Sequence, residues 1–242
     1  MIYLYAISDR VDTPMLPSHG IQGAAVLTRV YRNIMAVISP LDSAEVEPTK
    51  DALWRHEVVV EALMADGAVL PVRFGTMLGD ESVMKATLVA HYTQFVDDLD
   101  RVRGRVELGL RVLWDDVGPP TDGGGAKSEA SSGHAYLMDR LMQERQVRAW
   151  RERAHALAVE IEKPLVGLTV EATHQLLVTP RMLMTAAYLV DAAEVARFQQ
   201  RLEALQAVHP ALRFMCTGPW PPYTFMRNPV SAVAGRDGTN GT

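Results

Sequence analysis

His56-Glu57, with Glu61 one helical turn further on, is the grouping in this chain closest to a reaction centre. Two imidazoles four residues apart on one helix, with a glutamate beside the first, would hold zinc and activate its water. Here position 60 is Val60, so the metal set does not close. At about 100° per residue, His56 falls among Ala52, Leu53, Val59, Val60 and Leu63. That pattern predicts a core histidine hydrogen-bonded to a backbone group, with Glu57 and Glu61 on the solvent side.

The remaining candidates fail in turn. His91 sits among Met84, Leu88, Phe95 and Leu99 and is read as structural. Cys216, between Met215 and Thr217 near a Gly-Pro turn, has no neighbour that would lower its pKa, and is expected to be a small buried hydrophobe. Gly123-Gly124-Gly125 lacks the strand, the helix and the Lys-Ser/Thr of a phosphate cradle. Arg140, Arg145, Arg148, Arg151 and Arg153 alternate with Asp139, Glu144 and Glu152, which gives intrahelical pairs rather than a phosphate-reading stripe. No acid–base pair, nucleophile, metal set or cofactor motif survives, so the expectation is a protein that is not an enzyme. The alternative is a small-molecule enzyme or sensor on a ferredoxin-like scaffold, with His56 or His91 in a concave pocket.

Stepping out to the whole chain, 242 residues suit one large or two modest domains. Hydrophobic residues at 48% and charged residues at 22% are an ordinary globular balance. A net charge of −5 with interleaved signs argues against nucleic acid. No apolar run is long enough to span a bilayer, and the start lacks a signal peptide's basic region. The one cysteine excludes an internal disulfide. These features together predict a cytosolic protein.

The elements that would position these residues read as α+β. Ile2–Ile7 suits a central strand. Ala25–Val30 and Ile34–Ile38 flank a hairpin turn at Tyr31-Arg32-Asn33. Pro48 opens a helix to about Met64. Leu70, Val72 and Phe74 alternate on one side of an edge strand containing Pro71. Asp80 caps one long helix with Met84, Leu88, Phe95, Leu99 and Val102 on its stripe. Val106, Leu108, Leu110 and Val112 oppose Glu107 and Arg111 along a strand. A helix then spans about His134–Glu162, with Leu137, Leu141, Trp150, Ala154, Leu157 and Ile161 on one side. Leu168–Val178 and Met182–Val190 are strands, and Asp191 with Glu194 starts a helix striped by Val195, Phe198, Leu202 and Leu205. Leu212–Thr217 closes the fold. The expected architecture is two α+β domains, 1–114 and 134–228, each a small mainly antiparallel sheet with helices on one face, ferredoxin-like or a modification of it. A flexible linker at 115–133 and a flexible tail at 229–242 complete it, both poor in core formers.

Three stretches resemble one family. They are His56-Glu57 leading into Val69-Leu70-Pro71-Val72-Arg73-Phe74-Gly75-Thr76-Met77, then Val106-Glu107-Leu108-Gly109-Leu110-Arg111-Val112, and finally Thr217-Gly218-Pro219-Trp220-Pro221-Pro222-Tyr223-Thr224-Phe225. They are similar, in order, to motifs of the gas vesicle GvpF/GvpL proteins. The resemblance implies an accessory role beside the hydrophobic GvpA-type shell protein, as a minor structural or chaperone-like component in nucleating the shell. It implies further gas vesicle accessory proteins as partners, a place at the gas-facing side of the shell or in the cytoplasm, and no cofactor, nucleic acid or membrane. Its motif residues Arg73, Phe74, Gly75, Thr76, Trp220, Pro221, Pro222, Tyr223 and Phe225 become candidate partner contacts. Trp54 and Val58 join them because they lie one turn apart on the outer side of their helix. The proline-fixed aromatic run would lose little entropy against a partner, yet its residue types equally suit packing on the protein's own sheet.

Overall fold

The computed structural model describes residues 1–11, 15–65, 67–114, 133–179 and 181–227. The chain forms two compact units, one of Met1–Glu107 with the segment from Pro219, the other of Leu108–Gly218. The divide falls inside a strand, and the first unit takes two separate stretches of the chain. The tail expected at 229–242 and all of the linker expected at 115–133 except Gly133, which opens a helix, lie outside the described residues.

The first unit is built on β1 (Ile2–Ser8), which pairs antiparallel with β3 (Ile34–Pro40), β4 (Val69–Pro71) and β5 (Met77–Leu78). β2 (Leu27–Tyr31) extends the sheet through a tight hairpin whose Arg32 takes φ 54°, giving the order β2-β3-β1-β4. β1 is central, as its two-faced apolar sequence predicts, and β4 is an edge.

A register shift between Leu4 and Ala6 leaves Tyr5 without a partner on β3. The bulge puts Tyr3, Tyr5 and Ala6 in one core and Leu4 and Ile7 in another. α1 (Lys50–Met64) covers the first core with Ala52, Val59, Val60 and Leu63. α2 (Glu81–Ala90) and α3 (Tyr92–Val102) cover the second with Met84, Leu88, Phe95, Leu99 and Val102. Helices therefore lie on both faces of this sheet, not on one, because its central strand is apolar on both sides. α1 starts at the N-cap Thr49, whose side chain accepts from Ala52 N–H, one residue after Pro48. The single long helix expected from Asp80 breaks at His91 (φ −112°, ψ 15°), although Asp80 caps it as read. His91 is half-buried with its ring edge-on to Phe95.

The second unit takes β6 (Arg105–Trp114) from Leu108 on, α4 (Gly133–Glu162), β7 (Glu171–Thr179), β8 (Met182–Asp191), α5 (Val195–Val208) and β9 (Leu212–Trp220) up to Gly218. Its β-α-β-β-α-β sequence and strand order β7-β8-β6-β9 make a ferredoxin-like layer with both helices on one face. Leu108, Leu110 and Val112 meet Ala154, Ala158 and Ile161 of α4 and Phe198, Leu202 and Leu205 of α5. The N-cap of α5 is Glu194 without a side-chain cap bond, after a 3-10 turn at Ala192–Glu194, so the expected capping box does not form.

Candidate functional site

The first and third motifs meet on the α1 side of the first sheet, around an imidazole. His56 is 1% exposed and lies face-on to Tyr5 and edge-on to Tyr3 and Phe74. Its Nδ1 is 2.8 Å from the Tyr3 hydroxyl and its Nε2 3.1 Å from the Tyr223 hydroxyl. Tyr223 in turn donates to Glu57 Oε1 at 3.1 Å, and Gly75 N–H donates to the Tyr3 oxygen at 3.2 Å.

With Glu57 ionised, these contacts set the direction of each bond. Since Tyr223 spends its proton on Glu57, it can only accept from His56 Nε2–H. Nδ1 then carries the lone pair and accepts from Tyr3 O–H, whose oxygen accepts from Gly75. The run Gly75 → Tyr3 → His56 → Tyr223 → Glu57 points one way throughout, and it requires a neutral imidazole. Burial supplies that, lowering the His56 pKa to about 4. Burial likewise pushes the Tyr3 and Tyr223 hydroxyls up, and raises the Glu57 carboxyl. A second run lies beside it. Ile21 N–H donates to Tyr5 O, Tyr5 O–H to Ser39, and Ser39 O–H to the Ala25 carbonyl, at 2.9 Å each.

Chemically this is a closed lock. Both imidazole nitrogens are engaged, so His56 has no lone pair for a metal or a substrate proton. Among the described residues, no three His, Cys, Asp or Glu side chains come together to hold a metal ion. The backbone partner expected for His56 is present at Val72, and the two tyrosine hydroxyls join it. Glu57, expected in solvent, is half-buried because Tyr223 reaches over it.

The segment carrying Tyr223 is anchored residue by residue. Thr224 donates from its N–H and its hydroxyl to Glu107, at 2.8 and 2.6 Å. Phe225 is buried and its carbonyl accepts from Arg101, which also pairs with the buried Asp98 at 3.2 Å. Met226 packs on the core beneath α2 and α3, and Gln94 donates to the Arg227 carbonyl at 3.1 Å.

The family profile described as gas vesicle synthesis protein GvpL/GvpF matches residues 1–227. The chain belongs to the gas vesicle GvpL/GvpF family. It is similar to gas vesicle protein F2 of Halobacterium salinarum, with 26% identity covering 98% of this chain and 97% of the relative. It is also similar to gas vesicle protein L of a Streptomyces species, at 28% identity covering 92% and 91%. Crystal structures of GvpF from Anabaena and from Microcystis aeruginosa share its fold, with TM-scores of 0.74 and 0.72 at 21% identity. They cover 94% and 93% of this chain and 96% and 98% of their own. Membership supports a role in gas vesicle formation, in a family of accessory and structural proteins. No described helix is long and apolar enough to cross a membrane.

The candidate contacts of this GvpL/GvpF-family chain divide sharply. Pro221, Pro222, Phe225 and Thr76 are buried, and Tyr223, Phe74 and Val58 half-buried, all inside the first unit. Thr76 donates to the Arg73 carbonyl at 2.7 Å, closing a turn in which Gly75 takes φ 81°. Phe74 packs on His56, not beside Leu70 and Val72, because β4 ends at Pro71 and the chain turns over. Arg73 is exposed, and no carboxylate among the described residues pairs with it. What faces outward is Trp54 at 64%, Leu53 at 42% and Trp220 at 43% exposure. Tyr3, Ser39, Asp98 and Glu107 hold these runs without having been named as candidate contacts; Asp98 reads in the sequence as part of a solvated charge run yet is buried, and Glu107 reads as the polar side of an alternating strand.

Proposed function

We propose that this protein binds the hydrophobic shell subunit of the gas vesicle through the outer surface of α1 and the Trp220 ring, and assists shell nucleation. It would act as a minor structural or chaperone-like component at the gas-facing side. The observation that carries this reading is the exposure of Leu53, Trp54 and Trp220 on elements held rigid by the His56–Tyr223 lock. Large aromatic side chains left in water on a fixed backbone are the usual anchors of a partner surface. Family membership and the profile's description as a synthesis protein support the same direction.

The test is co-expression with the shell subunit followed by pull-down at moderate salt. The full chain should retain the shell subunit. A Trp54→Ser, Trp220→Ser double variant should lose most of that retention, about tenfold or more for two anchor residues, with its far-UV spectrum unchanged. Shell subunit that stays with the variant would remove the assignment of surface, and none held by the wild type would remove the binding role.

A further inference from the structure

β9 is an edge of its sheet, next to β6 only. Along it, between β9 and α5, runs a groove of about 410 Å³ lined by Gln199, Leu202, Glu203, Gln206, Phe214 and Cys216. Cys216 is therefore exposed, where the sequence suggests a buried thiol. Among the described residues no further strand lies beyond β9.

The Gln206 side chain shows what the edge accepts. Its amide nitrogen donates to the Leu212 carbonyl at 2.6 Å, and its oxygen accepts from Phe214 N–H at 3.0 Å. In a parallel pair the N–H and C=O of one residue join the C=O of residue i to the N–H of residue i+2 on its neighbour. The carboxamide thus stands in for the N–H and C=O of one residue of an added strand. Strand alternation aims the Phe214 carbonyl and the Cys216 N–H in the same outward direction, one step further along. Their side chains face the groove over Leu202. The one charged lining residue is Glu203, and among the described residues no cation pairs with it.

We propose that this edge takes an extended peptide segment as a fifth strand, continuing where Gln206 stops. Its occupant is a segment of another protein with small apolar side chains at alternate positions and a lysine or arginine to meet Glu203. Backbone bonds would supply affinity and the groove side-chain preference, the mode of strand addition at open sheet edges. The site lies in the second unit and stands apart from the Trp54–Trp220 reading.

The test uses the full chain and an acetylated, amidated heptapeptide, Thr-Val-Thr-Val-Thr-Lys-Thr, whose alternate residues present Val, Val and Lys to the groove. Titration should show saturable binding. Two further peptides of the same sequence, each N-methylated on one alternate set of nitrogens, separate backbone from side-chain recognition. One of the two should lose binding by at least about tenfold, the scale of one or two lost hydrogen bonds. Cys216→Pro removes the N–H that strand alternation aims outward and should weaken binding about tenfold, while Cys216→Ala should not. With Glu203→Lys the preference should pass to a peptide carrying glutamate in place of lysine. If Cys216→Pro fails to fold, the methylated pair decides alone. No binding by the wild type, equal binding of both methylated peptides, or unchanged binding to a folded Cys216→Pro chain would overturn the proposal, and a retained lysine preference in Glu203→Lys would overturn the charge assigned to the occupant.

Discussion

Tyr223 accepts from His56 Nε2 at 3.1 Å while giving its own proton to Glu57, across 167 positions of sequence. A hydroxyl so placed joins the C-terminal motif to both a buried donor and a half-buried carboxylate. Tyr223→Phe keeps the ring and deletes the oxygen, leaving His56 N–H without an acceptor and Glu57 without its donor. The expected loss is about 1–3 kcal/mol, read as a lower urea midpoint with unchanged slope. A change under about 0.5 kcal/mol would mean that the oxygen is not part of the lock. Tyr223→Leu should cost more, since the ring contact with His56 goes too.

His56 makes the first unit acid-sensitive. Its folded pKa of about 4 lies below the ordinary value of 6.5. The unfolded chain therefore takes up the proton first as pH falls, and stability drops between about pH 6.5 and pH 4. The integrated loss is about 3 kcal/mol. Glu57 works the other way. Its raised pKa means that the folded state binds that proton more readily, so acidification relieves part of the loss. Urea unfolding of the wild type and His56→Gln at pH 7, 6, 5 and 4.5 isolates the histidine. The wild-type curve should fall steeply, and the variant, weaker at pH 7, should be flatter. Parallel curves would show that the imidazole does not titrate as burial requires.

How much of this could be read from the residues depends on distance along the chain. β1, the hairpin around Arg32, α1, β6 and the α5 stripe follow from local periodicity, and each forms close to where it was placed. The lock does not, because Tyr3 and Tyr223 stand 53 and 167 positions from His56 and no spacing rule links them. The motif residues were legible as a set, but their division into buried anchors and an exposed Trp220 was not. Proline and aromatic side chains suit either fate, and only the fold decides.

The stripe on α4 shows a second limit. Leu137 and Leu141 were grouped with Ala154 and Ile161, yet at about 100° per residue the group Leu137, Met138, Leu141 and Met142 lies opposite to Ala154, Ala158 and Ile161. The structure leaves the first group exposed and buries the second. Met138 and Met142 should accordingly oxidise to sulfoxide under mild peroxide well before Met35 and Met184, which are 1% and 0% exposed. Peptide mass spectrometry over a time course reads the order. Protection of Met138 and Met142 in the isolated protein would show that a partner or a second copy covers this face.

Gly20 carries the remaining prediction. An added Cβ there would lie 2.0 Å from the Tyr5 hydroxyl oxygen and 2.9 Å from the ring carbon bearing it. Tyr5 cannot retreat, because it is fully buried and its oxygen is tied to Ile21 N–H and Ser39. Gly20→Ala should therefore cost about 2–3 kcal/mol through overpacking and the loss of at least one of these bonds. In a Tyr5→Phe background the nearest atom is gone, although the ring carbon stays close. The alanine should then cost about 1 kcal/mol less than it does beside the tyrosine. A double-mutant cycle from urea midpoints measures that coupling. Strict additivity would mean that the loop around Gly20 shifts as a body, and that the hydroxyl does not set the position of the glycine.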